Sequence, residues 1–424
     1  MLFARMRPAL LLGMAALLTS QQFQSASAND WPSWRGPHRD GIAVDENGLL
    51  SDWPEAGPEL KWKIDGLGRG YSSIAIADGR IFTMGKRKDG CELIALNLKD
   101  GRELWSAPVG GGDPNCTPTV DGGLVYALGR DGQLVCADVA TGKIVWQKSF
   151  PKDFGGSMMS GWGYSESPLI DGDRLICTPG AKDAVVVALD KKTGATIWKS
   201  AMPDDIGTRG KDGAGYSSIV ISHAAGVKQY VQLTGRGVIS IDAEDGTQLW
   251  SYNRIANGVA NISTPLVKGD DVFCSTGYGT GAALLHVSRK GDHLVAEEKY
   301  FLDAKKMQNH HGGMIVFGDH IYCGHGHNNG FPLCINFATG KEVWSGGRGP
   351  GGGSAAILLA DGHLYFRYED GTMALIEATP EAYQLKGKFK LATNNGKSWP
   401  HPVIVDGLLY ARDQNSLLCY DIRK

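Results

Sequence analysis

Five of the chain's 11 histidines fall in one short stretch: His310, His311, His320, His325 and His327. His325 and His327 are alternate residues and point the same way on an extended segment. With His310 or His311 beside them, they offer imidazole nitrogens to zinc, copper or iron. Such a transition metal needs three or four nitrogen or oxygen donors at about 2.0–2.2 Å. The same side chains also read as hydrogen-bonded histidines lining a polar groove. Carboxylate chemistry has one first candidate, Glu166 in the run Trp162-Gly163-Tyr164-Ser165-Glu166. It would be an acid–base catalyst, and its other reading is a surface or structural carboxylate. Paired carboxylates, a Ser/His/Asp order, a Walker loop and a dinucleotide fingerprint are all missing from the sequence.

These residues need walls, and the walls are short strands. Apolar runs, Asp-Gly or Thr-Gly turns and a closing tryptophan recur with a period of about 45–50 residues. One unit runs from Ser73 through Asp78-Gly79 and Leu93–Leu96 to Trp105; the next three close at Trp146, Trp198 and Trp250. Four looser units follow, the fifth closing near Lys299-Tyr300, the sixth at Trp344 and the seventh near Phe389. The eighth ends at Leu417–Asp421, one strand short, while Glu59–Ile64 is an orphan strand whose Trp62 matches the closing position. Glycine, 59 of 424 residues, stands at about twice its ordinary share of ~7 %. The fold expected is all-β, an eight-bladed propeller of four-stranded antiparallel blades closed by the N-terminal strand. The closing tryptophans then pack between blades and are structural.

In such a ring the segments leading into each blade's innermost strand converge on one rim of the channel. Here they are 68–73, 113–116, 161–166, 213–217, 257–261, 308–312, 349–354 and 394–401, rich in glycine, aromatic rings and uncharged polar groups. That composition suits a neutral polar or planar ligand. The residues expected to hold it are Trp162, Tyr164, Tyr216, Asn257, Asn261, Arg348, Trp399 and His401. Entry to the first strand and exit from the second share a rim in an antiparallel blade, so the histidine cluster lies within reach.

Eight cysteines invite a disulfide framework, yet six fill small-residue slots of the repeat. Cys177, Cys274 and Cys323 stand where sister units have Ala127 and Ala411; Cys136, Cys334 and Cys419 stand where others have Ala95, Ala188, Ser240 and Ala374. They behave as compact apolar groups. A Cys323–Cys334 pair across one hairpin and a Cys91–Cys116 bridge stay open.

The first residues read as a secretory signal, with Arg5 and Arg7 before an apolar run, Pro8 to Leu18, and small residues up to Ala28. Cleavage near Ala28 implies a periplasmic or secreted protein with no integral membrane segment in the mature chain. The organisation expected is a signal peptide over 1–28, an extended arm over 29–58 lying on the propeller surface, and the propeller over 59–424. With 43 basic and 45 acidic residues and no basic patch, nucleic acid is excluded as a partner. A small polar ligand or another exported protein is expected instead.

The motif Ala188-Leu189-Asp190 to Trp198 resembles the pyrroloquinoline-quinone (PQQ) type propeller repeat, found in quinoprotein alcohol dehydrogenases and in the BamB outer-membrane assembly lipoprotein. The opening Trp31-Pro32-Ser33-Trp34-Arg35-Gly36-Pro37 resembles the start of secreted PQQ-like propellers of planctomycete-type bacteria. The resemblance implies either a binding or scaffolding protein without turnover, or a dehydrogenase oxidising an alcohol or sugar with PQQ and calcium or a lanthanide. Arg348 would then counter an o-quinone oxygen or another anion. The enzymes cover the quinone with a ring formed by adjacent cysteines and hold the metal with Glu, Asn and Asp. This chain has no adjacent cysteine pair, and it lacks the lipid-anchoring cysteine of the assembly factors. A metal-dependent hydrolase or lyase using the histidines is the remaining reading.

Overall fold

A computed structural model describes residues 30–424; the signal-peptide reading of residues 1–28 lies outside them. The chain forms eight sheets, seven of four strands and one of five. Six of them are antiparallel blades of four strands in chain order; the other two each take one strand from the segment before residue 65. The first comprises Ala75–Ala77, Arg80–Arg87, Gly90–Asn97 and Glu103–Gly110. The six that follow start their inner strands at Thr119, Leu169, Val220, Leu266, Met314 and Ala355. The eighth has Val403–Val405, Leu408–Asp413 and Ser416–Asp421, and its fourth strand is Glu59–Ile64, paired antiparallel with Ser416–Asp421. The fifth and seventh blades close with His293–Asp303 and Leu385–Lys390, around the expected Tyr300 and Phe389.

Turn chemistry sets the hairpins. Asp78-Gly79, Asp361-Gly362 and Asp406-Gly407 all have positive φ at both residues, which a two-residue type I′ turn requires. Closing aromatics hold one blade to the next. A Cβ on Gly142, Gly194 or Gly246 would come within 2.5, 2.8 and 2.6 Å of ring atoms of Trp105, Trp146 and Trp198 from the preceding blade. Trp105 and Trp146 also donate their Nε1–H to Val139 O (3.1 Å) and Lys191 O (3.0 Å). Tyr300 packs on Gly340 in the same way, replacing the absent tryptophan of the fifth blade. Trp62 and Ile64 meet Gly101 of the first blade. All eight cysteines are buried and free; neither open disulfide forms. Cys323 pairs in register with Leu333 and Cys334 with Tyr322, so the two thiols are not opposite one another.

The arm departs from the expectation of an extended surface segment. Residues 33–41 fold as turns, and the arm runs through the channel. Trp31 pairs with Ile76 of the first blade, and Pro32 O accepts from Val120 N of the second. Arg39 donates to Ser167 O and Pro168 O at the third, and Arg35 to Met314 O at the sixth. Ile42–Ala43 then pairs parallel with Leu359–Ala360 as a fifth strand of the seventh blade. A segment that touches the inner strands of five blades crosses the axis. The reason is chemical: Trp31, Arg35 and Arg39 are 3 %, 2 % and 5 % exposed, and buried guanidinium groups need acceptors, which carbonyls at the inner strands supply.

Candidate functional site

Strand register identifies one equivalent position per blade, two residues before the first residue that pairs with the second strand's central aromatic or apolar residue. In order these are Ser73, Thr117, Ser167, Ser218, Thr264, Gly313, Ala355 and His401. In blades one to five the hydroxyls form a chain around the channel. Ser73 N donates to Thr117 Oγ1 (3.1 Å), Thr117 N to Ser167 Oγ, Ser167 N to Ser218 Oγ and Ser218 N to Thr264 Oγ1 (each 3.0 Å). Blades six and seven carry no hydroxyl there. The space is taken by the arm and by the eighth blade: a Cβ on Gly313 would lie 2.9 Å from His401 Cε1 and 3.2 Å from Arg35 Cζ. Ser73 Oγ donates to His401 O (2.6 Å), linking blades one and eight.

Above this girdle is a cavity of about 390 Å³, to which all eight lead-in segments contribute at least one residue. Trp34 of the arm lines it from below, with the Arg35 and Arg39 guanidiniums 5.4 and 5.9 Å from its ring centre. One wall is aromatic. Tyr71 stacks on Trp399 at 4.4 Å, Trp162 meets Trp399 edge-on at 5.9 Å, and His311 lies 4.6 Å from Trp399. Trp399 Nε1 donates to Glu369 Oε2 (2.9 Å), which fixes the indole plane.

Of the residues expected to hold a ligand, Trp162, Tyr216, Trp399 and His401 line the cavity. Four do not. Tyr164 is buried and donates its hydroxyl to Pro179 O. Asn261 donates to Thr234 O and Gly235 O, and Asn257 to Ala260 O; both hold a loop. Arg348 is exposed on the loop that follows the sixth blade's last strand. Glu166 is likewise no cavity acid. It is 2 % exposed, accepts from Thr178 N (2.6 Å) and Thr178 Oγ1 (2.8 Å), and faces the blade interior. There it does what Ser72 does in the first blade, where Ser72 Oγ accepts from Met84 N. Burial pushes its carboxyl up to about 8, against hydrogen bonds from Thr178 and the nearby Arg39 charge.

The histidines are corrected too. His310, His311 and His327 come together, with ring centres 4.1 and 4.2 Å from His310. His325 turns away and accepts from Gln308 N through Nδ1. Both His310 nitrogens are engaged, Nδ1 with Ser354 Oγ and Nε2 with Tyr278 OH, each at 3.1 Å. No group of three or more His, Cys, Asp or Glu among the described residues is disposed to hold a metal ion. Burial drives the imidazoles to their neutral form: His310 and His401 are lowered to about 3, His310 also by His327 and His401 also by Arg35. Both nitrogens of His310 are thus committed to hydroxyls, whereas His311 Nε2 is buried without a partner among the described residues.

The residues do not fit PQQ with calcium or a lanthanide either. The only cavity-lining carboxylate, Glu369, is engaged by Trp399, Glu166 faces the blade interior, and no cysteine pair covers the pocket. Sequence reasoning missed Trp34 and Tyr278. The signal for Trp34 was present, since an arm carrying Trp31, Trp34, Arg35 and Arg39 is too rich in rings and guanidiniums for a solvated tether.

Blades held by ring-on-glycine contacts, with an aromatic funnel at one end of the channel, define an eight-bladed propeller of the PQQ-repeat class. A family model described as "Outer membrane protein assembly factor BamB" matches residues 93–346. The chain belongs to that family. It is 27 % identical over 228 residues to the outer membrane protein assembly factor BamB of Burkholderia pseudomallei, covering 51 % of this chain and 55 % of the relative. It is 27 % identical over 267 residues to that of Moranella endobia, covering 58 % and 60 %. The chain thus spans little more than half the length of these relatives. BamB from Moraxella catarrhalis superposes with a TM-score of 0.62 at 14 % identity, covering 86 % of this chain and 99 % of that one. Quinohemoprotein alcohol dehydrogenase from Comamonas testosteroni gives 0.64 at 13 %, covering 93 % and 80 %. At such identities the likeness is one of fold.

Proposed function

We propose that this chain is an exported, non-catalytic binding or scaffolding propeller that works by what it holds at the channel mouth. The observation that carries the reading is the state of the polar groups there. Both nitrogens of His310 are engaged by hydroxyls, the lining carboxylate is committed to an indole, and Glu166 is committed to a strand. A pocket lined by rings and hydroxyls with no free acid–base pair is built for recognition rather than turnover. Relatives described as assembly factors support the same reading. Periplasmic or secreted placement belongs to this proposal, as does kinship with planctomycete-type secreted propellers. Among the described residues no helix is long and apolar enough to cross a membrane. Closure of the ring by Glu59–Ile64 is also part of it, supported by that strand's pairing and by Trp62 against Gly101.

The test is calorimetric titration of the purified chain with PQQ in the presence of calcium or a lanthanide, together with dye-linked oxidation of alcohols and sugars. The expected result is no turnover. Saturable quinone binding accompanied by oxidation would overturn the reading.

A further inference from the structure

We infer that the cavity is a site for the ring of an uncharged sugar. The inference rests on the binding reading above and names its ligand class.

The first observation is a set of unspent hydroxyl protons. Thr117, Ser218 and Thr264 each accept a backbone N–H from the preceding blade through the side-chain oxygen. Ser73 and Ser263 pass their own protons to carbonyl or amide oxygens, whereas those three find no acceptor among the described residues. All three line the cavity. A hydroxyl that accepts an N–H is fixed in place and still has one proton to give, so this arc presents three positioned O–H donors. Hydroxyl-rich ligands have the matching acceptors, and an apolar ligand would leave these donors dry at a cost of about 1–3 kcal/mol each.

The second observation is the opposite wall. Tyr71, Trp399 and Trp162 form one continuous aromatic surface, with Tyr278 beside it and Trp34 beneath. Such a wall takes the C–H face of a saturated ring, and its indoles are held rigid by Glu369 and by stacking. A ligand with one apolar face and an edge of oxygens is a pyranose.

The third is charge. Lys397 is the only cation among the lining residues, exposed at the lip, and Glu369 is the only anion. Arg35 and Arg39 flank Trp34, give their Nη2 donors to backbone carbonyls and are not among the lining residues. Nothing in the lining selects for ligand charge. The volume, about 390 Å³, is at the small end of the roughly 300–1,000 Å³ typical of small-molecule sites, enough for a mono- or disaccharide.

The experiment is intrinsic tryptophan fluorescence and calorimetry on the full chain. The probes are glucose, cellobiose and N,N′-diacetylchitobiose, with glucuronate, benzoate and PQQ as comparators. The inference expects saturable binding of at least one neutral sugar with a fluorescence change. Trp399→Ala should weaken it at least tenfold, and Thr117→Val or Thr264→Val several-fold. Trp162→Ala, at a residue 52 % exposed and so harmless to folding, should weaken it several-fold and serves if Trp399→Ala does not fold. Binding of benzoate, glucuronate or PQQ alone would overturn the sugar inference and leave the binding reading standing. Binding of none of the six at the mouth would likewise overturn the sugar inference, the binding reading being tested separately by the turnover assay above.

Discussion

Blades one to five and blades six to eight solve the same problem by different means. The problem is to bind the inner strands to one another around the channel. The first five blades use the repeat itself, one hydroxyl per blade accepting one amide from its neighbour. The last three have Gly313, Ala355 and His401 at that position, and there the arm intervenes with Arg35 and the strand Ile42–Ala43. The difference teaches where recognition can evolve. The regular arc must keep its small hydroxyls. The irregular arc lacks them and takes Arg35 and the strand Ile42–Ala43 in their place, and its rim carries His310, His311, Trp399 and His401.

The largest effect should come from removing that internal support. Deleting residues 30–50 should lower stability by more than about 5 kcal/mol, comparable to the whole stability of many domains, read as a fall in the urea midpoint. An unchanged midpoint would mean that the irregular arc holds itself. Next, Arg35→Ala should cost about 3 kcal/mol, because it empties a buried volume and leaves Met314 O without its donor. A loss below about 1 kcal/mol would show that the guanidinium's burial penalty cancels its contacts.

Acid should then discriminate the arcs. His310 and His401 have folded pKa values lowered to about 3, by burial foremost. Their contribution is complete above pH 6.5 and is lost as pH falls toward 3. Glu166, raised to about 8, has the opposite sign: its contribution is complete below about pH 4.5 and is lost as pH rises through 8. Between pH 6.5 and 4.5 each histidine should therefore cost roughly 2 kcal/mol, partly offset by Glu166. His401→Gln should flatten this acid limb relative to the native chain, and an identical pH profile in the variant would remove His401 from the account. The smallest effect belongs to the regular arc. Thr117→Val, which removes one acceptor from Ser73 N, should cost about 1 kcal/mol in the same urea assay. A cost as large as that of Arg35→Ala would erase the distinction between the arcs.

Legibility in the sequence followed the same division. Blade count, strand positions and the cysteine slots were readable, because each is stated many times by the repeat. The convergence of eight lead-in segments was readable for the same reason. What the repeat does not state was lost. Glu166 stood open between a catalytic and a structural reading because its equivalence to Ser72 appears only once strands are in register. His325 looked like a partner of His327, but the chain leaves the extended path at Gly326, where φ is 87°, and alternation no longer predicts direction. The arm has no sister segment, so nothing in the pattern fixed it in the channel.

Hydrogen–deuterium exchange of the native chain, followed by mass spectrometry of peptides covering 31–43, tests that placement most directly. An arm threaded through the channel predicts amides protected as strongly as those of the inner strands at 75–77 and 355–360, while the exposed loop at 345–353 exchanges within seconds. Exchange of 31–43 at the rate of that loop would put the arm outside the channel and remove the floor of the site.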